Sequence, residues 1–227
     1  MPYEFKALGK TVGIDLDLLA TQREDEQIRL SGQGDQRIAQ SAAPFQEITR
    51  NGRAFKIGTT AAVAAVVAVP TTGHALAIYN NSPTSVNRSL VIDWIAAQNV
   101  VSTAVASQAQ MLVCVGQVEE AIPTDAALTV IKLNGSGGTG PDDSVRSILT
   151  ATALPANTGV AANWFPWGKA ASKPGVAATP GYGLWERVDG AIIIPPRRYF
   201  AMHVLANVVG ETFVCFIGWH EKTLVNG

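Results

Sequence analysis

Charge is what this chain lacks. Between Ile57 and Val118, a stretch of 62 residues, only Arg88 and Asp93 carry a formal charge. No apolar run there approaches the ~20 residues of a membrane helix, so the stretch reads as water-soluble chain with little charge to offer water. No basic block exists either: net charge is −1 and Arg197-Arg198 is the only basic pair. Clustered Lys and Arg are what phosphate neutralisation requires, so nucleic acid is not an expected partner, and neither is a membrane. The start, Met1-Pro2-Tyr3-Glu4-Phe5-Lys6, lacks the basic and apolar pattern of a signal peptide. Cysteine is scarce: Cys114 and Cys215 both sit in apolar, strand-like surroundings and read as free buried thiols.

Catalytic signatures are missing too. The three histidines, His74, His203 and His220, share no ligand spacing. His203 and His220 could approach one another across a terminal hairpin, but two imidazoles and Glu221 make a thin metal shell. No Gly-x-Ser-x-Gly elbow occurs, and neither cysteine neighbours a histidine. The glycine-rich loop at 135–140 has no Lys-Ser/Thr ending. Glu119-Glu120 and Asp142-Asp143 lack the intercalated spacing of a calcium loop and read as solvated turns. The expectation is a protein that is not an enzyme, with no catalytic residue, no metal and no cofactor.

What the chain does have is a polar beginning and a β-rich body. Residues 1–56 hold 16 charges, 8 of each sign, while only 15% of the whole chain is charged, against about 25% in ordinary soluble domains. Residues 1–56 read as an N-terminal arm, with a short strand over 12–18 and helical turns over 22–30, too poor in large apolar residues to fold alone. Residues 57–227 read as strand after strand. Residues 61–69, stopped by Pro70, suit a buried strand. Residues 89–95 alternate, with Leu90, Ile92 and Trp94 on one face. Residues 96–110 leave room for a helical turn. Residues 199–206 and 212–219 read as a closing hairpin around a short loop containing Gly210. Its second strand, with Phe213, Cys215, Ile217 and Trp219 on one face and Val214 and Phe216 on the other, reads as covered by protein on both sides. About eight to ten strands without a long amphipathic helix predict an all-β antiparallel sandwich or barrel of jelly-roll type, carrying an extended arm.

The densest local feature is aromatic: Trp164-Phe165-Pro166-Trp167, with Tyr182 and Trp185 nearby. Placed in a loop, Trp164, Phe165 and Trp167 are candidate interaction residues. They could stack on sugar rings, or plug a barrel end or subunit contact, and burial is the better use of such density.

The polar arm, the stretch Ala75-Leu76-Ala77-Ile78-Tyr79-Asn80-Asn81 and the terminal strand Phe213-Val214-Cys215-Phe216-Ile217-Gly218-Trp219-His220-Glu221 together resemble virion structural proteins of tailed bacteriophages. The resemblance lies in the style of residues 57–221 and transfers no functional residue. It implies a capsid cement or decoration subunit, a homotrimer bound to the major capsid protein at the capsid surface of the virion and made in the host cytoplasm. A fibre or tail module binding a host glycan is the alternative, and a cupin-like metal enzyme is a third that the histidine spacing disfavours.

Overall fold

A computed structural model describes residues 29–30, 36–37, 46–71, 73–83, 88–102, 105–117, 128–135, 145–148, 163–175 and 182–223. The chain divides into two compact units, Met1–Ala43 and Pro44–Gly227. In the first, β1 (Arg29–Leu30) pairs antiparallel with β2 (Gln36–Arg37). Strand therefore stands where the sequence suggested the end of a helical stretch. The expected strand over 12–18 lies outside the described residues.

The second unit opens with one helix, α1 (Gln46–Arg50), followed by β3 (Ala54–Gly58), β4 (Val63–Ala64), β5 (Leu76–Asn80), β6 (Arg88–Val101) and β7 (Ser107–Gln117). Then come β8 (Ile131–Lys132), β9 (Val145–Ile148), β10 (Trp164–Lys173), β11 (Gly183–Arg187), β12 (Ile193–Ile194), β13 (Arg198–Ala206) and β14 (Thr212–Thr223). The β body thus begins before residue 57. Phe55 and Ile57 on β3 are core residues, and the Phe55 ring stacks on Trp219 with centroids 5.9 Å apart. Burial of one aromatic ring draws the last residues of the expected arm into the sheet.

Among the described residues two antiparallel sheets form a sandwich. One runs β10-β7-β13-β5-β9, the other β11-β6-β14-β3-β8, with β12 on β6 and β4 on β14. The pairing is nested. Of the eight principal strands β3, β5, β6, β7, β10, β11, β13 and β14, the first pairs with the eighth, the second with the seventh, the third with the sixth and the fourth with the fifth. Rolling up one long hairpin produces this order, so the sandwich is jelly-roll-like. The core between the sheets is built from inward residues of both, among them Ile78, Ile92, Met111, Phe200, Phe213, Cys215, Ile217 and Trp219.

This topology corrects the expected terminal hairpin. β13 pairs with β5 and β7, whereas β14 pairs with β6, β3 and β4. The short connection between them crosses from one sheet to the other. Two-sided burial also belongs elsewhere: β5 is buried along its whole length. Tyr79, Leu112, Cys114, Trp164 and Tyr199 form a second buried cluster, separate from the core between the sheets. On β14 the odd-numbered residues from Phe213 to Trp219 are buried, but Val214 and Phe216 are only half-buried.

The alternation expected in residues 89–95 breaks at Asp93. Pairing with β14 skips that residue between Ile92 and Trp94, a bulge that turns both Ile92 and Ile95 inward. The carbonyl of Asp93 accepts from Val188 and Asp189 (2.7 and 3.0 Å), and its carboxylate meets His220 Nδ1 at 2.9 Å. Trp94 then lies over Gly218, where an added Cβ would fall 2.2 Å from the indole. Of the stretch 96–110, considered for a helical turn, 96–101 and 107–110 are strand.

Candidate functional site

Nested pairing sends four sheet-to-sheet connections to the same end of the sandwich: β3 to β5, β6 to β7, β10 to β11 and β13 to β14. The register fixes this, because Ser107 faces Lys173, Ala109 faces Ala206, Thr212 faces Val101 and Gly183 faces Gln98. The first crossover, 59–75, contains the apolar run 61–69 expected to be a buried strand. Only Val63–Ala64 is strand, and Val66 makes a single bridge to Leu205 in the other sheet. Spanning the gap between sheets leaves no residue of 61–69 fully buried: Val63 and Ala65 pack partly on the core, while Val67 and Val69 are exposed.

The result is an apolar rim. Val209 is 77% exposed, Val105 59%, Val67 56% and Val101 52%, with Val69 and Val100 also exposed. Together these six expose the equivalent of about three whole valines, and at ~1.5–3 kcal/mol per aliphatic side chain their burial is worth roughly 5–9 kcal/mol before any cost of association. Across the crossovers 59–75, 99–107, 173–183 and 206–211 the only charged residues are Lys173 and Glu211. The exposed charges Arg187, Asp189 and Arg197 belong to the opposite end.

Lys173 and Glu211 lie beneath the rim and meet each other. Glu211 is fully buried. Its Oε1 accepts from Ser107 Oγ (2.6 Å) and Ser102 Oγ (3.3 Å) and lies 3.6 Å from Lys173 Nζ. Its Oε2 accepts from the Tyr182 hydroxyl, and Lys173 donates to Ser102 Oγ. Burial by itself would raise the carboxyl's pKa. The hydrogen bonds from Ser107, Tyr182 and Ser102 and the Lys173 charge outweigh it and hold the pKa below its ordinary value. Tyr182 is pushed up to about 12 by burial and by the neighbouring carboxylate. The Glu211 carbonyl also accepts from Ala65 N–H at 2.8 Å, so one residue ties together all four crossovers.

The aromatic cluster does not sit in a loop. Trp164, Phe165 and Trp167 lie on the edge strand β10, opposite Cys114, Val113 and Met111 of β7. Strand alternation separates them: Trp164 is buried in the second cluster, while Phe165 and Trp167 turn the other way and meet edge-to-face at 6.2 Å. Trp167 packs on the core and its Nε1 donates to the Arg187 carbonyl (3.3 Å), and Lys169 N–H donates to Glu186 Oε1 (2.9 Å). These contacts close the sandwich between the edge strands β10 and β11. Of the three, only Phe165 is substantially exposed.

The histidines do not converge as a hairpin would have arranged. His203 and His220 belong to different sheets. His203 is buried near His74, and burial together with repulsion from that ring lowers its pKa to about 4. Its Nδ1 lies 2.8 Å from the Val204 N–H, and the backbone hydrogen bond at Val204 opposes the lowering without overcoming burial. Among the described residues no group of three His, Cys, Asp or Glu side chains could hold a metal, and no helix is long and apolar enough to cross a membrane. Both cysteines are buried, and burial raises their thiol pKa values to about 11 for Cys114 and about 12 for Cys215. The acidic pairs at 119–120 and 142–143 lie outside the described residues. Sequence reasoning missed the crossover end, although its signal was present: the charge-free segments of the chain are the ones that meet there.

No protein-family model, no curated protein and no solved structure matches this chain.

Proposed function

We propose that this chain is a structural subunit without catalytic activity, which works by burying surface against other protein. In the setting its resemblance implies, it is a capsid decoration or cement protein: a homo-oligomer, with a trimer expected, that sits on a phage head, holds to the major capsid protein and stabilises the shell. One observation carries this reading. A sandwich whose four crossovers are fastened to a single buried carboxylate presents an uncharged, valine-rimmed end, and apolar surface on a rigid support favours protein association.

A subunit that binds only the assembled shell stabilises it by mass action. Particles lacking the protein are therefore expected to rupture at lower temperature than decorated ones, and adding it back restores resistance. Equal rupture temperatures with and without it would remove the cement reading.

A glycan-binding fibre or tail module is the second reading, and it now rests on Trp185 in place of Trp164, Phe165 and Trp167. Trp185 is 57% exposed on the edge strand β11, with the Arg187 guanidinium 5.8 Å from its ring centroid. An open indole beside a hydrogen-bond donor suits stacking on a sugar ring. Glycan-array binding that is lost in Trp185→Ala would favour this second reading.

A further inference from the structure

The reading of the chain as an assembling subunit leaves open which surface assembles and with what, and the inference drawn here rests on that reading. We infer that the crossover end of the sandwich is the self-association surface, buried against the same end of further copies of this chain, with Val67, Val105 and Val209 at the contact.

Charge decides the occupant. The crossover end carries no exposed charged residue among those described, because Lys173 and Glu211 are buried and paired beneath it. A second copy presenting the same end brings valines to valines and desolvates no unpaired charge. A copy presenting the opposite end would press Arg187, Asp189 or Arg197 onto apolar surface, and a charge removed from water without a partner is costly. The end is therefore complementary to itself and not to the rest of the chain's charged surface.

Size and rigidity agree with that assignment. Four strands per sheet at ~4.8 Å spacing, in two layers ~10 Å apart, give the end a footprint of roughly 20 by 20 Å. This is of the same order as the ~800 Å² of accessible surface that each partner gives up in a standard interface. Glu211 reaches the β6–β7 crossover through Ser102 and Ser107, the β10–β11 crossover through Lys173 and Tyr182, and the first crossover through Ala65 N–H. Loops pinned in this way lose little further freedom on association, which lowers the cost of forming the contact.

Sedimentation of the full chain at micromolar concentration tests the inference, using wild type, Val209→Asp, Val105→Asp and Trp185→Ala. Wild type and Trp185→Ala are expected to be multimeric. Each aspartate variant should raise the dissociation constant at least tenfold, with an unchanged far-UV circular dichroism spectrum. Should Val209→Asp lose its fold, Val105→Asp decides. A monomeric wild type overturns self-association, while the cement reading is still judged separately by particle rupture. Multimers that persist in both aspartate variants place the contact elsewhere and overturn the inference alone. A monomeric wild type whose attachment to particles is lost in Val209→Asp would give this end to a different protein, and that too overturns it.

Discussion

Replacing Glu211 by Gln removes one charge from a fully buried site and leaves the Lys173 ammonium, itself 9% exposed, without its counter-ion. Breaking a buried pair from one side costs about 3–5 kcal/mol, because the remaining charge keeps its desolvation penalty and loses its partner. For a domain of 150–250 residues each kcal/mol shifts the melting temperature by ~2–4 °C, so Glu211→Gln should melt roughly 6–20 °C below wild type at pH 7. Protein concentration must be held fixed, since self-association itself raises the melting point. The double variant Glu211→Gln with Lys173→Met removes both charges and should recover at least half of the loss. The folded pKa of Glu211 lies below its ordinary value of 4.5. Its stabilisation is therefore complete above the unfolded pKa and is lost as pH falls through the lower folded value. The wild type's advantage over Glu211→Gln should accordingly narrow below about pH 4.5. A single variant within a degree or two of wild type, or a double variant no better than the single, would refute the account of a buried ionised hub.

Gly218→Ala should cost about 1–3 kcal/mol, read by chemical denaturation, because its methyl group would fall 2.2 Å from the Trp94 indole and force the ring off the sheet. Phe213→Ala should cost ~3–5 kcal/mol, since Phe213 is buried in the core with Tyr182 edge-on at 5.7 Å. Half-buried Phe216→Ala should cost visibly less, and equal losses would mean that the outer face of β14 is covered. The folded pKa of His203, about 4, lies below the ordinary 6.5. Its contribution is thus present above pH 6.5 and lost progressively toward pH 4, and His203→Gln should flatten the melting temperature across that window. Cys114 and Cys215 should resist a thiol reagent in the native protein and react on unfolding, so fast native labelling would contradict their burial.

The sequence by itself determined the class of this protein. Alternating and continuous apolar runs separated by Gly, Pro and Asn turns could bury themselves only as strands, and the inward set Phe213, Cys215, Ile217 and Trp219 was legible because a strand has a period of two. Periodicity says nothing about partners, however. Residues 199–206 and 212–219 carry every local mark of a hairpin, yet long-range pairing with β7 and β6 draws them into opposite sheets. The same blindness put Trp164, Phe165 and Trp167 in a loop, although their backbone is an edge strand. It also buried residues 61–69, because an apolar run reads alike whether it lies in a core or spans a gap. Only the tertiary structure brought Ser102, Ser107, Lys173, Tyr182 and Glu211 together, from positions as much as 109 residues apart. Composition records the absence of charge along the chain, but the rolled-up topology gathers that absence at one end, because nested pairing sends alternate connections the same way.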